Sequence, residues 1–317
     1  MNQLQITAFG DPSVLRLANV PDGEPAEGQV RVRVHYAGVN PIDAKTRAGL
    51  GWAAAQNKDK LPWTPGYDVA GIVEARGPGV CELAVGDRVC GMVGFPLRGG
   101  GYGESVVVGE TELVKLERLE LAQGAALPLA GLTGWQGLFE HGELLAGQRV
   151  LILAAAGGVG HLAVQWACAA GAEVVGLASP ANHDFVLGLG AKAVLDYHAP
   201  DWPAQVGAVD LVLDLVGGES GKQALACVKS GGRLITVPTL TAEAIKAAGA
   251  ERSIEVRGML VHPDKSALAR MVALLEQGGA RIEIAHTFPL AEGALAHQAI
   301  EAGHTRGKLL LRMDGHA

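Results

Sequence analysis

Residues Val150 to Gly160 read VLILAAAGGVG, an apolar run that ends in a glycine-rich turn. No other stretch restricts the fold as strongly. A short aliphatic run of this kind suits a strand buried on both faces. From His161 through Ala170 the pattern turns periodic, and Gly171 follows as a C-terminal cap, so the segment reads strand, glycine turn, helix. Gly157, Gly158 and Gly160 let the backbone bend sharply and let a bulky anion approach. The free N–H groups opening the helix face such an anion, and the helix dipole favours its negative charge. The turn is suited to a diphosphate, most simply that of a dinucleotide.

The loop departs from the strict G-x-G-x-x-G pattern. Ala155 stands where the first glycine would be, giving A-x-G-G-x-G. By itself this also fits an ordinary tight strand-to-helix connection. Its surroundings favour the dinucleotide. A second strand is expected at 173–178, a third at 209–216 running into Gly217-Gly218, and a fourth at 233–237 after Gly231-Gly232. Strands separated by helix-length spacers imply parallel β-α units with right-handed crossovers. The fold class is therefore α/β, with a doubly wound parallel sheet whose carboxyl ends receive the dinucleotide. The cofactor loop is expected to run Ala156, Gly157, Gly158, Val159, Gly160.

The end of the second strand bears on cofactor type. It reads Leu177-Ala178-Ser179-Pro180, with no acid until Asp184. A carboxylate there would bond a ribose 2′-hydroxyl and repel a 2′-phosphate, so its absence permits NADP(H). Ser179, Asn182 and Tyr197 can donate hydrogen bonds to that phosphate. No Lys or Arg lies within 179–185, which predicts a modest preference. Ser179-Pro180 also suits a plain loop with a helix N-cap.

At 317 residues the chain is long enough for two separate cores. Its apolar content of 49 % and charged content of 19 % suit a folded chain rather than a disordered one. A net charge of −7 without a Lys/Arg cluster argues against nucleic acid as a partner. No apolar run approaches about 18 residues, so no membrane span is expected. The opening MNQLQITAFGDP has no basic region followed by an apolar core, so no secretory signal is expected either. Four scattered cysteines (Cys81, Cys90, Cys168 and Cys227) make neither a disulfide framework nor a clustered zinc site. A reduced, cytoplasmic protein is the expectation.

The N-terminal part has another texture. Val30 to Tyr36 (VRVRVHY) alternates as a half-exposed strand does. Short strands are expected at 71–75, 87–92 and 105–108 between glycine turns, the mark of an antiparallel barrel-like domain. The nucleotide-binding units begin near residue 120. Beyond residue 258 come a helix (266–277), a strand (283–287), a helix (291–302) and a strand (308–312), a tail that can return to the first domain. The expected division is a catalytic domain of 1–120 with 259–317 and a nucleotide-binding domain of 121–258. Ligands commonly bind in clefts between such domains.

Several segments then combine. Gly38-Val39-Asn40-Pro41-Ile42-Asp43, Pro65-Gly66-Tyr67-Asp68-Val69-Ala70-Gly71 and Gly86-Asp87-Arg88-Val89 lie in the first part. Leu132-Thr133-Gly134-Trp135, the loop from Ala155 to Gly160, Asp214-Leu215-Val216-Gly217-Gly218 and Gly303-His304-Thr305-Arg306-Gly307-Lys308 lie beyond. In this order and spacing the chain resembles, essentially end to end, the zinc-free quinone oxidoreductases of the medium-chain dehydrogenase/reductase superfamily. The resemblance implies a GroES-like β-barrel domain holding both chain ends, a Rossmann domain, NADPH as cofactor, and a dimer or tetramer, with a homodimer expected here. It also implies that Thr133 lies near the nicotinamide and that backbone near Val216, Val237 and His262 lines the dinucleotide groove.

Zinc enzymes of that superfamily carry a Cys where this chain has Asn40 and a His where it has Tyr67, and no third ligand is evident near 129–135. Asn and Tyr are poor Zn²⁺ ligands beside thiolate and imidazole. The ten histidines, His35, His141 and His161 among them, show no metal-ligand spacing and read mostly as surface or capping residues. No metal is expected. Without a Lewis acid, alcohol oxidation is disfavoured. A quinone or conjugated enone accepts hydride directly, and its oxyanion needs only hydrogen-bond donors.

The expected function is hydride transfer from NADPH to a quinone or activated carbonyl. Asn40, Asp43 and Tyr67 are the acceptor-side candidates: the amide and phenol can donate, and Asp43 can orient neighbours or a water. The same residues suit a self-capping Asn-Pro loop and a packed tyrosine. Two other functions stay open: reduction of an enoyl thioester or other activated double bond, and an NADPH-binding regulatory role with little turnover. Enoyl-thioester reductases of the superfamily carry a Tyr some residues after the Asn, where this chain reads Ala48-Gly49-Leu50-Gly51-Trp52.

Overall fold

The alternation at residues 30–36 belongs to a longer strand. In a computed structural model, which describes residues 1–313, the N-terminal strands are β1 (Asn2–Gln5), β2 (Arg16–Asn19), β3 (Gln29–Val39), β4 (Asp68–Arg76), β5 (Arg88–Met92), β6 (Ser105–Gly109) and β7 (Leu113–Lys115). Val30, Val32 and Val34 are buried while Arg33 faces solvent, as a period of two requires. From Ala37 to Val39 burial becomes continuous. Here Gly38 meets the helix Leu121–Ala126, and a Cβ at this position would lie 2.5 Å from the carbonyl oxygen of Ala125.

The chain divides into two units. One comprises Met1–Leu132, His262–Gly278 and the described residues 282–313; the other comprises Thr133–Val261 and Gly279–Arg281. The division falls at Leu132/Thr133 rather than near residue 120. The reason is the Leu121–Ala126 helix, which packs on β3, β4 and β5, with Gly124 set against the side chains of Ala70 and Cys90.

In the second unit the strands are β8 (Arg149–Ile152), β9 (Glu173–Ala178), β10 (Ala193–Asp196), β11 (Val209–Asp214), β12 (Val228–Thr236) and β13 (Glu255–Gly258). They form one parallel sheet in the order β10-β9-β8-β11-β12-β13. Counted within the unit this is 3-2-1-4-5-6, the Rossmann order. Its core gathers Leu151, Leu153, Val175, Leu177, Val212 and Leu234. The outer strands β10 and β13 escape sequence reading because each is four residues long and neither has a fully buried residue. Gly231 and Gly232 lie inside β12 rather than before it.

The helix after β8 spans Gly160–Ala169 and closes on Gly171 at φ +80°. The amide of Gly171 reaches the carbonyl of Cys168, and that of Ala172 reaches Ala167, the paired bonds of a Schellman cap. The last two strands are β14 (Ile284–Pro289) and β15 (Lys308–Arg312). β15 runs antiparallel to β3, pairing Leu309 with Val39, and β14 is parallel to β15. This closes the first unit as a GroES-like sheet. All four cysteines are free thiols. Among the described residues no helix is long and apolar enough to cross a membrane.

Candidate active site

The glycine loop is held at its root by both neighbouring strands. The amide of Leu153 donates to Leu213 on β11, and that of Ala155 to Leu177 on β9. Ala154 takes a positive φ of 52° to start the turn. The backbone of Gly160 then passes so close to Ala154 that a Cβ would run into its carbonyl oxygen, which makes glycine obligatory there. Beyond the turn the amides of Gly158, Val159 and Gly160 have no hydrogen-bond partner among the described residues. They open a helix of ten residues at the carboxyl end of β8, between strands that diverge to β9 and β11. That is where an open α/β sheet receives a phosphate. Ala156 is buried under this loop.

His161 corrects the sequence reading of surface or capping histidines. It is fully buried, and its Nδ1 lies 2.9 Å from the carbonyl oxygen of Gly157. That contact requires the proton on Nδ1. The imidazole therefore braces the loop from the first turn of the helix. Apolar periodicity gave no hint of it, because histidine is counted with the polar residues.

Ser179, Asn182 and Tyr197 meet at one end of the sheet. The register pairs Asp196 of β10 with Ala178 of β9, so Tyr197 and Ser179 follow side by side. Asn182 donates from Nδ2 to the Ser179 hydroxyl at 3.0 Å. Tyr197 is 45 % exposed, leaving its phenol free to reach a ligand. Val216 and Val237 follow the carboxyl ends of β11 and β12. Between them sits Asp214, a buried carboxylate that sequence reasoning did not single out. It accepts from the amides of Val216 and Gly217 and from the Thr236 hydroxyl, at 3.0, 2.7 and 2.8 Å. Thr133 is buried in the helix Pro128–Trp135, next to Gly134, whose backbone packs on Ala163. His262 belongs to the first unit and is exposed.

Within the first unit, Asn40, Asp43 and Tyr67 are all buried in a polar cluster. Asn40 precedes the helix Pro41–Arg47, and its amide N–H donates to Asp43 Oδ2 at 2.8 Å, fastening the first turn. The Asn40 side chain turns elsewhere. Its Nδ2 donates to Asp68 Oδ2 at 2.8 Å, and its Oδ1 accepts from Lys308 Nζ. Asp68 also accepts from the amide of Leu129, and Lys308 lies 3.8 Å from Asp68. The Tyr102 phenol donates to Asp43 Oδ2, and His297 Nε2 is 3.3 Å from that phenol. Tyr67 donates its phenol proton to the Pro96 carbonyl at 2.9 Å and stacks edge-on against Phe95.

Burial dominates the electrostatics here. It pushes the Asp43 carboxyl up to about 7. It also raises Asp68 and lowers Lys308, while their mutual attraction opposes both shifts. The Tyr67 phenol moves far above its ordinary range through burial, aided by Asp43. Asp68, Lys308, Tyr102 and His297 were not recognised from sequence as members of this cluster. The one signal was a lysine opening the apolar strand KLLLR. Among the described residues no three His, Cys, Asp or Glu side chains converge as a metal site requires.

A parallel sheet of order 3-2-1-4-5-6 with such a loop after its first strand, in one chain with a GroES-like sheet, defines the medium-chain dehydrogenase/reductases. The family models agree. An alcohol dehydrogenase GroES-like domain matches residues 26–118, and a zinc-binding dehydrogenase domain matches residues 189–311. The quinone oxidoreductase of Pseudomonas aeruginosa is 34 % identical, over 98 % of each chain. The solved quinone oxidoreductase of Coxiella burnetii is 39 % identical, covering 98 % of this chain and 99 % of its own, with a TM-score of 0.95. The CurK enoyl reductase structure is 26 % identical with a TM-score of 0.87, covering 98 % of this chain and 99 % of its own. The chain belongs to the quinone oxidoreductase family of the medium-chain dehydrogenase/reductase superfamily.

Proposed function

We propose that the protein reduces a quinone or a conjugated carbonyl with NADPH and without zinc. The observation that carries this reading is the row of unpartnered amides at Gly158, Val159 and Gly160, on a helix that opens at the carboxyl end of β8. Bound there, NADPH supplies the hydride. The three amides and the helix dipole hold its pyrophosphate. Asp214 fixes the turn from Val216 to Gly218, and Ser179, Asn182 and Tyr197 offer donors to a 2′-phosphate. Absence of an acid between Ala178 and Asp184 leaves that phosphate unopposed by its nearest neighbours in sequence.

On the acceptor side, Asn40, Asp43 and Tyr67 act as a rigid wall rather than as proton carriers. The Tyr67 proton is already donated to a carbonyl, and burial disfavours its release. The reduced acceptor takes its proton from water, as a hydroquinone or enolate oxyanion readily does. Zinc independence is supported by Lys308, whose ammonium bonds the Asn40 oxygen. A second cation placed at that oxygen would face it at close range. The same reading makes the protein a cytoplasmic homodimer. Four unbridged thiols suit a reducing compartment, and β13 has one edge unpaired among the described residues.

The test is NADPH consumption with small 1,4-quinones in the presence and absence of a zinc chelator. Turnover that survives chelation is expected. No oxidation with any quinone or enone would remove the proposal. A second reading, enoyl-thioester reduction, is favoured by the likeness to the CurK enoyl reductase. Parallel rates on naphthoquinone and a crotonyl thioester separate the two.

A further inference from the structure

Among the described residues from Ser179 to Asp201, the end of β9 offers a phosphate hydrogen bonds but no permanent positive charge. From Ser179 to Asp201 the one Lys or Arg is Lys192. It sits at the opposite end of the sheet, where its amide bonds Val174 at the start of β9. Arg281 is turned the other way, stacked on Phe185 and near the backbone of Gly188 at the far end of the helix His183–Leu187. Besides Tyr197, the remaining charged or titratable groups of that stretch are two histidines and three acids. His183 opens that helix, with Nε2 3.3 Å from the carbonyl oxygen of Ala178, the residue before Ser179. His198 follows Tyr197, its ring 4.1 Å from the tyrosine ring centroid to centroid. Its Nδ1 lies 2.9 Å from Asp196 Oδ1. Asp184 and Asp201 are exposed. Two imidazoles thus flank Ser179 and Tyr197, one from the following helix and one from the neighbouring strand end.

We propose that His183 and His198 determine the choice of cofactor, supplying when protonated the positive charge by which a 2′-phosphate selects NADPH over NADH. The inference rests on the NADPH reading given above. Histidine is the side chain whose charge ordinarily changes between about pH 5 and 8. Asp196 makes the change matter. The backbone amide and ring of His198, with His183 nearby, hold the Asp196 carboxyl below the usual carboxylate range. Beside a neutral imidazole the carboxylate stands next to the phosphate position and repels it. A protonated His198 would cancel that charge, and a protonated His183 would add another of the favourable sign. The phosphate's own second ionisation, near pH 6 for phosphate monoesters, works in the opposite direction, since it loses charge on acidification. The sign of the pH dependence therefore separates the two causes.

The experiment measures kcat/KM for NADPH and NADH with one quinone from about pH 6 to 8.5, across the histidine range. The NADPH/NADH ratio should rise about fivefold toward acid, the scale of one exposed ion pair. His183→Gln and His198→Gln should each flatten that rise, and the double variant at acid pH should behave as the parent does at alkaline pH. Asp196→Asn should raise the ratio at alkaline pH. Inhibition by 2′,5′-ADP is followed alongside. A flat or inverted profile in a protein that still prefers NADPH and binds 2′,5′-ADP overturns the histidine assignment alone. NADH preference at every pH with no 2′,5′-ADP inhibition overturns the NADPH reading and this inference with it.

Discussion

Lys308 Nζ donates to Asn40 Oδ1 in the interior of the first unit, between residues 268 positions apart in the chain. The bond sets the orientation of the Asn40 amide, because its nitrogen is then the atom that faces Asp68. One side chain is thereby clamped between a buried ammonium and a buried carboxyl. An isolated charge at such depth is strongly disfavoured, so each member of the cluster depends on the others.

Lys308→Met should accordingly cost about 3–5 kcal/mol in unfolding free energy, the range for removing one partner of a buried pair. Adding Asp68→Asn to that variant should recover most of the loss, since no unpaired carboxyl remains. Urea denaturation of the single and double variants gives the comparison. A single variant as stable as the parent would show that Lys308 does not hold the cluster.

The same cluster predicts two opposite pH dependences. Asp43, pushed up to about 7 by burial, binds its proton more tightly when folded. Its contribution is complete below about pH 4 and is lost as pH rises through about 7. Asp43→Asn should therefore become progressively more stable than the parent across that window. His297 is held down to about 3, chiefly by burial and then by Arg47. Its contribution is present above about pH 6.5 and is lost as pH falls toward about 3. His297→Gln should flatten the acid limb. Urea midpoints at a series of pH values test both, and curves parallel to the parent's would contradict both assignments.

Gly160→Ala should lower stability by about 1–3 kcal/mol through overpacking and weaken nucleotide binding, because the Ala154 carbonyl must move and the loop with it. Gly157→Ala is the graded control, since its Cβ would meet the same oxygen at 3.3 Å. Fluorescence titration with NADPH should rank the parent above Gly157→Ala and that above Gly160→Ala. Equal affinity in all three would sink the role given to this turn.

Asp214→Ala removes the acceptor of two amides and a hydroxyl at once. A loss of about 3 kcal/mol or more is expected, since hydrogen bonds to a charged group exceed ordinary ones. The KM for NADPH should rise while kcat with saturating cofactor changes less. Crystallography of the variant with the turn unchanged would refute the anchoring role.

Local pattern made the second unit legible around its centre. The run at Val150 is buried on both faces, and its glycines answer to backbone needs that act over a few residues, as Gly160 against Ala154 does. The edge strands β10 and β13 were not legible, because an edge needs little apolar surface and shows no period. The segment 121–126 went to the first unit because three strands from distant sequence offered it a surface.

By itself the chain of amino acids determined the parallel sheet, the phosphate turn and the family, since these rest on short-range periodicity and on glycines in order. What the tertiary structure alone decided was the company each polar side chain keeps. Asn40 and Tyr67 read as free donors, yet folding ties one to Lys308 and Asp68 and the other to the Pro96 carbonyl. The reason is physical: a buried polar group must find a partner within hydrogen-bond reach, and which partner lies within reach depends on strands that meet only when the sheet closes.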